Sequence, residues 1–256
     1  MEKQVNTNNK VKNMENIIDQ EQGELLSPKE YLLQVPVPDE TATYKPVSHG
    51  ELIRVTLESI ENCGFELVKE VYTYRKEGLV ANGKYLLKYG SDPDMSLMIA
   101  WQNSYDKSLS LKFAVGCWVY ICENGCVSGD MGAFRSKHVG DVQTVSPALL
   151  REYICKAGSQ FDTMVVQKEA MKQIQITAKE RASLLGVLYI DKKLITSTQL
   201  NQIKEIIEHP VYEYGAPGTV WEIYNYITEA LKNISPQYWL SAQVNIHKFI
   251  ISEYNI

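Results

Sequence analysis

From residue 109 to residue 121 every odd position is apolar: Leu109, Leu111, Phe113, Val115, Cys117, Val119 and Ile121. Side chains of a strand point to its two faces in turn, so this alternation predicts a long strand within Ser108–Asp130 with one buried face, reversing at Glu123-Asn124-Gly125. The even face is mixed. It carries Ser110, Lys112, Ala114, Gly116, Trp118, Tyr120 and Cys122, two large amphipathic rings beside a glycine, and it is the first candidate for a binding surface.

The rest of the chain divides by its periodicities. Residues 1–27 are rich in Asn, Gln and charge and read as a flexible polar tail without an apolar signal core. Pro28, Pro36 and Pro38 punctuate an extended segment, and Ser48-His49-Gly50-Glu51 is a capping box opening a helix that ends at Gly64. Strand patterns follow over Phe65–Arg75, Leu79–Tyr89, Ser96–Gln102, the long strand, Cys126–Gly129 and Ala133–His138, with Ala81-Asn82-Gly83 expected as a tight turn. The second half has helical spacing. Ser146-Pro147 opens a helix of about 28 residues through Leu150, Ile154, Phe161, Met164 and Met171, by the step of three and four. Thr177 to Glu180 and Thr219 to Glu222 are further capping boxes, Ser197 caps another helix, and Ser235-Pro236 opens the last. The predicted class is α+β: a mainly antiparallel sheet in residues 65–138, one preceding helix and a long helical C-terminal half. The expected organisation is tail 1–27, sheet region 28–145 and helical region 146–256, packed on the sheet as one domain.

At 256 residues the chain can bury a full core, and no apolar run reaches the roughly 18 residues of a membrane span. Five cysteines without framework spacing fit thiols in a reducing compartment, and a cytoplasmic location is expected. Cys63, Cys117 and Cys155 read as packing. The net charge of −5 argues against coating nucleic acid by bulk electrostatics, although residues 146–195 hold eight Lys or Arg against five Asp or Glu.

Three arrangements bear on chemistry. Cys122, Cys126 and His138 could offer three ligands to zinc, but the spacing is looser than paired knuckles and half-buried thiols are the plainer reading, so no cofactor is expected. A Cys122–His138 nucleophile pair lacks an identifiable orienting carboxylate, and no phosphate loop or hydrolase motif is present. The third is a surface: Trp101, Asn103, Tyr105 and Lys107 on one connection, joined by Lys112, Trp118, Tyr120, Arg135, Lys137 and His138. Rings on a sheet stack unpaired bases while cations hold phosphates, so these residues are the candidates for single-stranded DNA or RNA. The competing reading places Trp118 and Tyr120 beneath the C-terminal helices.

At the same residues the chain resembles the phage/plasmid-like proteins, a mobile-element family with a domain of unknown function. The resemblance lies in Asn103-Ser104-Tyr105-Asp106-Lys107-Ser108, in the strand ending Cys122-Glu-Asn124-Gly125, in Lys137-His138 and in the stretch Gly218-Thr219-Val-Trp221-Glu-Ile-Tyr224-Asn225-Tyr-Ile-Thr228-Glu229. It implies a phage or plasmid setting and no particular reaction. The leading expectation is therefore a non-enzymatic accessory protein binding single-stranded nucleic acid. A protein-interaction or inhibitor module acting on a host defence enzyme is the alternative, and a thiol- or zinc-dependent enzyme the third. Self-association is compatible with each.

Overall fold

Strand Met95–Ser104 is buried at all ten positions. A strand closed to water on both faces must be covered on both, and this sets the layering of the molecule. The computed structural model describes residues 17–18, 25–42, 44–121, 124–127, 147–232 and 234–256. A two-residue ladder, β1 (Ile17–Ile18) with β2 (Leu25–Leu26), precedes α1 (Pro28–Gln34) and α2 (His49–Asn62). The sheet is an antiparallel meander of β3 (Glu66–Arg75), β4 (Val80–Lys88), β5 (Met95–Ser104), β6 (Lys112–Val119) and β7 (Asn124–Val127) in sequence order. Helices α3 (Pro147–Cys155), α4 (Ala157–Gln173), α5 (Ala178–Gly186), α6 (Ser197–Glu208), α7 (Val220–Ala230) and α8 (Pro236–Tyr254) complete an α+β fold.

One face of the sheet presents Tyr72, Tyr85, Leu97, Ile99, Trp101, Phe113, Val115 and Cys117 to a main core that also takes in Leu52 and Ile60 of α2, Phe161 of α4, Ile203 of α6, Trp221 and Ile227 of α7 and Ile250 of α8. The odd face of β6 is thus the core face expected from its pattern. The other face packs Leu86, Met98, Ala100, Ala114 and Trp118 against Trp239 and Leu240 of α8. At the β4–β5 connection the buried Lys168 ammonium of α4 lies 2.6 Å from Asp92 and 2.8 Å from Asp94. Burial works against its charge, but the Asp92, Asp94 and Glu169 carboxylates outweigh burial and hold it protonated.

Several local expectations change. Pro28 opens a helix with a Ser27–Glu30 capping box rather than an extended segment. Ala81-Asn82-Gly83 lies inside β4, and the bend comes earlier, at Lys76, Glu77 and Gly78, all with positive φ. Gly83 serves a close approach instead: a Cβ there would stand 2.6 Å from the Trp101 ring. Asn124-Gly125 belongs to β7, paired with Val119 and Trp118, and β6 spans only Lys112–Val119. The long helix is two, broken at Lys156. Thr196, not Ser197, caps α6 through a bond from the Gln199 amide. The expected strand Ala133–His138 lies outside the described residues.

Cys63 and Cys155 are not packing thiols. They form a disulfide across 92 residues, because the C-cap of α2 meets the last residue of α3 with Cα atoms 5.1 Å apart. This overturns the reading of both as free thiols in a reducing compartment. Reduction is expected to lower the unfolding free energy by about 4–5 kcal/mol on the chain-entropy account of a loop this long. Denaturant titrations with and without reductant, beside a non-reduced peptide map, check it; a map without the Cys63–Cys155 linkage removes the bridge.

Candidate functional site

The motif residues Asn103 to Ser108 close one end of the sheet onto the N-terminus of α2. Ser48 caps that helix by accepting from the Glu51 amide, so the His49 ring at its first turn faces inward. Its Nε2–H donates to the Gly78 carbonyl at 2.9 Å, which leaves Nδ1 as acceptor for the Asn103 amide at 3.1 Å. The same Asn103 amide group donates to Val47 O, and the His49 backbone N–H donates to the Tyr105 hydroxyl at 2.7 Å. The Tyr105 ring stacks on His49 with centroids 4.0 Å apart. Outside this node, Lys76 and Ser108 hold the Asp106 carboxyl well below the usual carboxylate range against its partial burial, and Lys107 sits 4.6 Å over the Tyr44 ring. Burial drives the His49 pKa down to about 4, opposed only in part by the Gly78 bond.

The predicted surface does not assemble. Trp101 and Asn103 continue β5 on its core face, and Trp101 donates to the Tyr85 hydroxyl at 2.9 Å. Lys112 and Trp118 point to the opposite face of the sheet. Trp101, Asn103 and Tyr105 are buried, and Trp118, 8% exposed, lies under Trp239 and Leu240. The helix covering it is α8, so for Trp118 the competing reading, burial beneath the C-terminal helices, holds. Among the described candidate rings only Tyr120, about half exposed, meets solvent; Lys107 is exposed too, on the connection between β5 and β6. Arg135, Lys137, His138 and Cys122 lie outside the described residues; Cys126 is in β7, opposite Cys117.

A different set emerges on the α8-side face. Register places Lys69 opposite Leu86, Arg75 opposite Val80, Val71 opposite Lys84 and Glu66 opposite Lys88, while Gln102 aligns with both Asn82 and Lys112. Along β3 to β6 this face therefore bears Lys69, Arg75, Lys84, Lys88 and Lys112 against one carboxylate, Glu66, which pairs with Lys88. Lys69 lies 5.3 Å over the Trp118 ring and Lys84 3.7 Å over Trp239. Lys112 donates to Ser241 of α8. Lys84 has no ion-pair partner among the described residues, and burial, helped by nearby Lys232, lowers its pKa to about 8. Sequence reasoning placed strands over β3 and β4 but did not single out this face, because Lys69, Val71, Thr73 and Arg75 resemble an ordinary solvent face until their register to β4 is known.

The chain matches the family model of a domain of unknown function, DUF932, over residues 41–248. It belongs to that family. The matched span covers the sheet, the His49–Asn103–Tyr105 node and all but the end of α8, so both arrangements above lie within the family domain. No curated protein and no solved structure matches the chain.

Acid stability tests the node. His49 is neutral when folded and titrates near pH 6.5 when unfolded, so the unfolded chain takes up the proton first and stability falls as pH drops from 6.5 to about 4. The loss from this group is about 3 kcal/mol by pH 4. Urea titrations of wild type and His49→Asn across that window measure it; parallel profiles for the two proteins would remove His49 as the source.

Proposed function

We propose that the protein binds single-stranded nucleic acid along the cationic face formed by β3 and β4, with Lys69, Arg75, Lys84 and Lys88 meeting phosphates and Lys112 at the inner end, as an accessory protein in a phage or plasmid setting. The observation that carries this reading is charge segregation: in a chain of net charge −5, the strands gather five cations against one carboxylate on one face. Phosphate contacts of this kind position a strand without reading its sequence. Base stacking on Trp101 and Trp118 is no part of the reading, since both rings are buried. Lys84, half-buried beside Trp239 and without an acidic partner among the described residues, gains most from an incoming phosphate.

Anisotropy with labelled oligo-dT and oligo-U, at about 50 and about 200 mM salt, tests it. With three to five phosphates engaged, log K should fall with log salt at a slope of about −2 to −3.5. Lys84→Met should weaken binding severalfold and yet raise the melting temperature at pH 7, because the charge it removes is costly to bury. Absent or salt-independent binding sinks the proposal.

One observation favours the second reading, a protein-interaction module acting on a host enzyme. A groove of about 490 Å³ between α6 and α7 is lined by Ile206, Val211, Tyr212 and Ala230, with Glu205 and Glu229 at its rim, and Val211 is 75% exposed. This chemistry suits an apolar partner segment with basic flanks. If that reading holds, Val211→Asp abolishes capture of one stoichiometric host protein while oligonucleotide binding stays unchanged; an identical capture profile would exclude the groove.

A further inference from the structure

A cavity of about 350 Å³ lies where four separate segments meet, and neither reading above uses it. Pro93 and Asp94 come from the β4–β5 connection, Tyr120 from the end of β6, Glu213 and Tyr214 from the connection between α6 and α7, and Trp221 from the first turn of α7. The Tyr120 backbone N–H donates to the Asp94 carbonyl at 2.9 Å, which fixes the end of β6 against the β4–β5 connection. Tyr214 and Trp221 are 6% and 2% exposed and are held by neighbouring rings, Tyr226 at 5.8 Å from Tyr214 and Tyr224 at 5.9 Å from Trp221. Tyr120, 49% exposed, stands at the mouth.

The lining therefore combines Tyr120, Tyr214 and Trp221 with the aliphatic Val119, Ile121 and Pro93, and includes two acidic residues, Asp94 and Glu213. Its charge is negative. Asp94 bonds Lys168 and Lys172, but in that cluster Asp92, Asp94 and Glu169 set three carboxylates against two ammonium groups, and Glu213 adds another to the lining. A cavity of this chemistry disfavours anions and offers little to a neutral polar group. It suits a large, weakly hydrated cation, which gains from π-systems and from carboxylates at a distance while needing no hydrogen bond of its own.

We propose that this cavity binds a methylated ammonium group, as carried by choline or by a trimethylated lysine side chain. Aromatic side chains supply the contact surface, and Asp94 and Glu213 supply the long-range attraction. The site shares no residue with the cationic sheet face, so either can fail without the other. The helix containing Trp221, one of the stretches that carry the family resemblance, meets the end of β6 here.

Calorimetric titration of the full chain with choline, with its uncharged isostere 3,3-dimethyl-1-butanol, and with peptides bearing trimethylated or unmodified lysine tests the proposal. Choline or the trimethylated peptide should bind at least tenfold tighter than its unmethylated or uncharged counterpart, and whichever of the two binds tighter identifies the source of the headgroup. Tyr120→Ala should weaken binding at least fivefold at unchanged melting temperature, since that ring is half exposed. Glu213→Gln should weaken it severalfold and flatten its salt dependence. Trp221→Phe serves as a milder core variant, because removing the whole ring would test folding as well. Equal affinity for choline and the isostere, no binding of either cation at millimolar concentration, or an unaltered affinity in Tyr120→Ala would overturn the site.

Discussion

Two-sided burial of β5 is the constraint from which the architecture follows. A strand with no exposed residue needs a layer on each face, and the chain supplies them unequally. The first layer is thick, made of α2, α4 and α7 around Phe113, Phe161, Trp221 and Tyr224. The second is mainly a single helix, α8, laid across Leu86, Met98, Ala100 and Trp118. A single helix cannot cover a five-stranded sheet, so β3 at the edge keeps one face toward solvent, and there Lys69, Thr73 and Arg75 are exposed. The uneven layers thus create the charged face.

Buried polar side chains inside such a fold gather into clusters, and two of these lie at opposite ends of β5. Near Ser104 the His49 imidazole bridges a backbone carbonyl and an asparagine amide, which dictates a neutral tautomer. Near Met95 the Lys168 ammonium bridges carboxylates, which dictates a charged one. Each cluster ties a helix to a sheet connection, α2 in the first case and α4 in the second. Losing one partner in either would strand a buried donor, acceptor or charge, costing more than the bond itself.

What the sequence made legible was periodicity and caps. The alternation in β6 placed Phe113, Val115 and Cys117 in the core, Ser48 and Thr219 were seen as caps of α2 and α7, and the α+β class followed from the change of period near residue 146. What stayed hidden depends on partners distant in the chain. The even face of β6 looked amphipathic, yet whether Trp118 meets solvent was decided by Trp239, 121 positions away. Gly83 read as a turn because Asn-Gly favours turns, whereas its role is to leave room for the Trp101 ring in the next strand. Trp101 and Lys112 seemed neighbours on one surface, and pairing put them on opposite faces. Charge segregation along β3 and β4 needed the register, which no local pattern encodes.

The disulfide between Cys63 and Cys155 has a consequence for how the chain behaves once its backbone is damaged. The bridge encloses all five strands of the sheet in one covalent ring. A single peptide-bond break anywhere between residues 64 and 154 opens that ring without separating the molecule, since both pieces stay attached through sulfur. Proteolytic nicking at any such bond would leave the mass of the oxidised protein essentially unaltered and become visible only after reduction, so the bridge turns what would be fragmentation into a latent scar.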